Sequence, residues 1–117
     1  MWLFTEHGFI SAVTHRDDSN LMMVRARDKK SLDKLVEISG CLLETTLDAD
    51  YPHRIVVSKK HLKEFMSNTI EEAMYDNFKT QVGKTRGYKF AMPLHDVWEV
   101  MHEVEDVKRR RWFEGDF

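Results

Sequence analysis

Leu62, Phe65, Met66, Thr69, Ile70, Ala73 and Met74 recur at i, i+3, i+4, i+7, i+8, i+11 and i+12, the strongest helical period in the chain. A helix with one apolar stripe needs a surface to cover, and the segments before it carry the period of two of half-buried strands. Strand one is expected over 2–13, with Gly8 marking a bulge or bend within it. The polar run 15–20 leads to strand two over 21–27, strand three is expected over 41–47, and a turn over 48–52 precedes strand four over 54–57. Between strands two and three, a short helix carries Leu32, Leu35 and Val36, with Asp28 as its cap and Gly40 as its left-handed stop. Ser58 is a suitable cap for the long helix. Past Tyr75 the pattern breaks: Asp76 can cap a short helix bearing Phe78 and Val82 that ends near Gly83, and 84–92 reads as a loop. Pro93 then opens a last helix with the stripe Leu94, Val97, Trp98, Met101 and Val104.

The order ββαββα followed by two helices leaves few topologies, because a strand-helix-strand crossover is right-handed and hairpins fill neighbouring positions. Strand four between strands two and three gives the sheet order 1-2-4-3 with both main helices on one face. That is an α+β fold, a circularly permuted ferredoxin-like antiparallel sheet with two extra C-terminal helices. With 117 residues, 42% hydrophobic, five Gly and two Pro, the chain is expected to close one core over 1–104, followed by a charged tail over 105–117.

Composition removes several function classes. The longest apolar stretches are far below the roughly 20 residues that span a bilayer, so no membrane contact is expected. The opening Met1-Trp2-Leu3-Phe4-Thr5-Glu6-His7 has no basic region and no extended apolar run, which points to an intracellular, cytoplasmic protein. A single Cys41, expected buried and inert at the start of an apolar strand, can form neither an intrachain disulfide nor a zinc site. Eighteen basic against twenty acidic side chains leave a net charge of −2, so no global attraction to nucleic acid exists. Six histidines lack metal-ligand spacing, His95 and His102 lying about 10 Å apart on a helix. No phosphate-binding glycine motif or nucleophile motif occurs, and neither metal, cofactor nor catalytic residue is expected.

The informative constellation lies on the sheet. If Met22, Val24, Ala26, Ile55 and Val57 face the helices, period two sends Met23, Arg25, Arg27, Arg54 and Val56 to the other side. Three guanidinium groups on adjacent central strands repel one another unless water, carboxylates or a bound anion answers them. One reading is a site for phosphate or nucleic acid, with Trp2, Phe4 or Tyr51 for base stacking. The other is architecture, in which the C-terminal helices cover this face and Asp76, Glu99 or Glu103 pair with the arginines. In Tyr75-Asp76-Asn77-Phe78-Lys79, Asp76 and Lys79 fall on one helical face at i, i+3 and can orient a phosphate. Ordinary capping and boundary packing also explain this block. The basic run Lys108-Arg109-Arg110-Arg111 with Trp112 and Phe113 reads as a solvated helix end with aromatics docked on the domain.

The opening MWLFT with Gly8-Phe9, the strand Met23-Val24-Arg25-Ala26-Arg27, Asp50-Tyr51 with Arg54, the Tyr75–Lys79 block and Val97-Trp98 with Met101 resemble a small family of conserved hypothetical proteins of bacteria and phages. The resemblance covers about the first hundred residues and implies a cytoplasmic, bacterial or phage context without an activity. It directs attention to Arg25, Arg27, Asp50, Tyr51, Arg54, Asp76 and Lys79. Three functions stay open. The first is a non-enzymatic module binding RNA, single-stranded DNA or a nucleotide through Arg25, Arg27 and Arg54, with Tyr51, Asp76 and Lys79 beside them. The second is an accessory protein that binds and inhibits or regulates a host protein machine. The third, ranked last, is a small metal-dependent nuclease using Asp50, Asp76 and Lys79.

Overall fold

Gly8 decides the first departure from the expected chain path. The structure, a computed structural model, describes residues 1–106. In it the single strand expected over 2–13 is a hairpin, β1 (Trp2–Thr5) and β2 (Gly8–Thr14), turning at Glu6 and His7. Gly8 adopts φ +146°, and a Cβ there would collide with the Ser31 hydroxyl and the Arg86 guanidinium. The Thr5 hydroxyl oxygen accepts from His7 N–H at 3.0 Å and so supports the turn.

β3 (Leu21–Ala26) pairs with β2, and β5 (His53–Ser58) with β3, all antiparallel. The third expected strand shrinks to β4 (Glu44–Thr45) on the edge beside β5, with Leu42 and Leu47 exposed. The molecule is therefore α+β with a five-stranded antiparallel sheet in the order β1-β2-β3-β5-β4, not the four-stranded order 1-2-4-3. The extra edge strand comes from the Gly8 turn.

One sheet face carries the core. Ile10, Ala12, Val24, Ala26, Ile55 and Val57 pack against Leu32 and Leu35 and against Leu62 and Phe65, each large side chain contributing about 1.5–3 kcal/mol through burial. Leu32 ends a 3₁₀ turn (Lys29–Leu32) and Leu35 sits on α1 (Asp33–Ser39), which Gly40 stops at φ +67° as expected. Asp28 precedes that turn without capping it. Ser58 does cap α2 (Lys59–Glu72), accepting from His61 N–H at 3.2 Å. The expected stripe is buried only in its first half: Leu62 and Phe65 are buried, Ile70 is 73% exposed, and Ala73 and Met74 lie past the end of α2, with Met74 91% exposed.

The C-terminal part is a helical hairpin. α3 (Phe78–Arg86) is capped by Asn77 rather than Asp76, the Asn77 side chain accepting from Thr80 N–H at 3.0 Å. No loop spans 84–92: α3 runs through Gly83 to Arg86, Gly87 alone separates the two helices, and α4 starts at Tyr88 and ends at Val100. Pro93 consequently lies inside α4 instead of in its first turn. A second 3₁₀ turn (Met101–Val104) follows. Cys41 is half-buried against the core rather than fully enclosed. Most of the charged tail expected over 105–117, including Lys108–Arg111, Trp112 and Phe113, lies outside the described residues. Among those described, no helix is long and apolar enough to cross a membrane.

Candidate nucleic-acid interface

The strand register aligns Trp2, Ser11, Arg25, Arg54 and Glu44 in one row across all five strands. Partners directly opposite in antiparallel pairs share a face, so this row lies on the side away from the core. Val13, Met23 and Val56 form the next row of the same face. Arg25 and Arg54 thus stand opposite each other, two like charges at the closest lateral spacing a sheet offers.

Arg25 donates from Nη2 to the Ser11 hydroxyl at 2.9 Å, and its guanidinium lies 4.7 Å from the centre of the Tyr51 ring. Arg27, just past the end of β3, lies 4.4 Å from the same ring and donates to Asp50 at 3.1 Å. The Asp50 hydrogen bond raises the Arg27 pKa further above its high ordinary value and keeps the guanidinium charged. Tyr51 is buried, and both flanking arginines claim its ring, so it is a cation–π platform rather than an open stacking surface for a base.

Neither Arg25 nor Arg54 has a carboxylate partner among the described residues. Each keeps a buried Nε without an acceptor, and Glu44 makes no ion pair with Arg54 across the strand. The covering carboxylates expected in the architectural reading do not arrive. Glu99 pairs with His95, and among the described residues Asp76 and Glu103 form no ion pair with an arginine. The arginines of this part of the molecule that are paired answer to Asp50 and, for Arg86, to Asp28.

Beside the arginines lies an aromatic patch. Phe9 stacks on Phe4 at 4.5 Å, meets Trp2 edge-on at 5.6 Å and approaches Tyr51 at 6.5 Å. Trp2 is 67% exposed. Phe9 escaped the sequence reading because the hairpin did; once 2–14 is folded at Gly8, Phe4 and Phe9 are direct cross-strand partners. A groove of about 720 Å³ separates this patch from Phe90, Pro93, Leu94 and Val97 of α4, with Arg27 and Lys89 among its lining residues.

Asp76 and Lys79 do not join the arginines. Asp76 is exposed at the start of α3, while Lys79 lies 4.9 Å from the Trp98 ring and within 3.5 Å of His95. Phe78, Asp76 and Lys79 line a smaller groove of about 400 Å³ with Phe4 and Trp98. Asp50, Asp76 and Lys79 share no hydrogen bond or ion pair, and among the described residues no three His, Cys, Asp or Glu side chains gather to hold a metal ion.

What holds the helical hairpin to the sheet was not visible in the sequence. Arg86, its side chain almost fully buried, donates to His7 O at 2.6 Å, to the Ser31 hydroxyl at 3.3 Å and to Asp28, and stacks on Phe90 at 3.9 Å. Glu6, buried in the β1–β2 turn, accepts from Gln81 at 3.0 Å and from Thr85 at 3.2 Å. Placing 84–92 in a loop removed Thr85 and Arg86 from any face of a helix. No protein-family model, curated protein or solved structure matches this chain.

Proposed function

We propose that the protein is a non-enzymatic binding module whose arginine-bearing sheet face takes single-stranded nucleic acid. The observation that carries the reading is the Arg25–Arg54 pair: two guanidiniums directly opposite, without a carboxylate partner among the described residues, each with a buried Nε lacking an acceptor. Two neighbouring guanidinium charges without a carboxylate counter-ion are costly, and an anion supplies the missing charge while accepting from their remaining Nη–H groups. Phosphate fits the guanidinium fork bidentately, which favours a phosphodiester over a simple apolar ligand.

The aromatic patch favours a strand over an isolated phosphate. Trp2 and Phe9 sit at one end of the arginine row, so bases can stack there while the backbone follows Arg25 and Arg54. Tyr51 acts in this reading by holding Arg25 and Arg27 in place, and Arg27 adds a permanent charge at the edge. Asp76 and Lys79 stay outside the contact. A permuted ferredoxin-like layer with an added edge hairpin and a bacterial or phage setting belong to the same proposal.

Fluorescence polarisation of labelled single-stranded RNA and DNA oligonucleotides at low and moderate salt tests it. Saturable binding that weakens with salt at a slope of about −1.5 to −2, as expected for two or three neutralised phosphates, supports the proposal. Absence of saturation at low salt contradicts it.

A further inference from the structure

The sheet ends on β1 with its outer backbone unpaired. The Met1 nitrogen donates to Ala12 O at 2.8 Å and Ala12 N–H donates to Met1 O at 2.8 Å, so these two residues are a hydrogen-bonded pair of the β1–β2 ladder. Such pairs alternate along an antiparallel ladder, which turns the N–H and C=O of Trp2 and Phe4 away from β2 and off the edge of the sheet. Among the described residues nothing bonds to them. Exposed edges are ordinarily blunted by charge, proline or extreme shortness. The opposite edge, β4, is two residues long and carries Glu44. β1 reads Trp-Leu-Phe-Thr, with neither charge nor proline.

We propose that β1 adds an extended segment of another protein as a further antiparallel strand, with apolar residues beside Trp2 and Phe4 and acidic residues beyond them. The unpaired donors and acceptors call for another backbone, and α4 supplies the second wall of its seat. The grooves of about 720 and 400 Å³ share Phe4, Leu94 and Val97, so they adjoin at the middle of the strand. An edge strand with a groove beside it is a recurrent seat for extended peptides. A side chain opposite Phe4 shares its face and enters the apolar space toward Leu94 and Val97. Charge selects the ends of the segment. Arg27, Arg86, Lys89 and Lys79 line the two grooves against Asp28 and Asp76, and neither lysine has a carboxylate partner among the described residues. A second copy fits less well, since its β1 would arrive with its own helical hairpin, held beside that strand through Arg86 on His7 and Gln81 on Glu6. The inference does not rest on nucleic-acid binding, although the two sites meet at Trp2.

Fluorescence polarisation of the full chain with a labelled Glu-Thr-Val-Thr-Val-Thr-Glu peptide tests the pairing, together with amide hydrogen exchange read by NMR. Saturable binding is expected, and no saturation for the same peptide with lysine at both ends. Methylating both valine amides, which face β1 in the antiparallel sense, costs about tenfold in affinity. The Phe4 amide exchanges freely without the peptide and slows on binding, while the Leu3 amide is protected throughout. Phe4→Pro removes the outward N–H and no β1–β2 bond, so binding weakens by about tenfold with the far-UV circular dichroism unchanged, and Phe4→Leu retains it. Should the proline variant misfold, the exchange measurement on the unaltered chain still decides. Arg25→Ser with Arg54→Thr leaves peptide affinity unchanged, which keeps this site separable from the arginine row. No saturation with the acidic peptide, equal affinity for the methylated one, or a Phe4 amide already protected in the free chain would each overturn the proposal; in the last case a two-chain mass by light scattering gives the edge to a second copy.

Discussion

At the scale of single residues, Arg25 and Arg54 are placed where folding alone would not put them. Like charges opposite each other on neighbouring strands destabilise a sheet, and the cross-strand pair term is roughly 0.2–1 kcal/mol. Arg54→Thr removes the repulsion and supplies a β-branched residue suited to a strand. Its expected outcome is a gain of about 0.5 kcal/mol in urea denaturation together with weaker oligonucleotide binding; a loss of stability would mean that the guanidinium serves the fold. Arg86 is the opposite case. It is buried, paired with Asp28 and bonded to the His7 carbonyl, so Arg86→Ala strands a carboxylate and a carbonyl. A loss of about 3 kcal/mol is expected in the same measurement, and a change below about 1 kcal/mol would remove its anchoring role. Period two needs only the strand, and the register does put Arg25 and Arg54 on one face, whereas Arg27, expected on the same strand, lies past the end of β3. The sequence reading passed over Arg86, whose importance depends on a partner 58 positions away.

At the scale of elements, the buried half of α2 is separable from the exposed half. Phe65 is fully buried, and Phe65→Ala is expected to cost about 3–5 kcal/mol. Ile70, at an equivalent place in the apolar period but largely exposed, should cost below about 0.5 kcal/mol when changed to Ala. Comparable losses at both sites in chemical denaturation would contradict this division. Periodicity identified the helix, since a stripe of seven positions is strong information. It could not show where burial along the stripe stops. The hairpin at Gly8 was hidden for a related reason: Glu6 and His7 carry no Gly or Asn of a standard two-residue turn. The turn is held from outside, by Gln81 and Thr85 on Glu6 and by Arg86 on His7. Local chemistry does not reveal a turn that tertiary contacts stabilise.

At the scale of the whole molecule, one face of the sheet is closed by α1 and α2, and the other has an aromatic end near α4 and an arginine row at its centre. The net charge of −2 gives no general attraction for polyanions, so binding must come from the local row and its salt dependence must report few phosphates. The central claim is that Arg25 and Arg54 form that contact. The most direct measurement is the affinity of a labelled single strand for the wild type and for Arg25→Ser with Arg54→Thr, at several salt concentrations. At least a tenfold loss is predicted, with the salt slope reduced by about 1.4, the share of two phosphates on a single strand. Equal affinity and an equal slope in the double variant would contradict the assignment of this face.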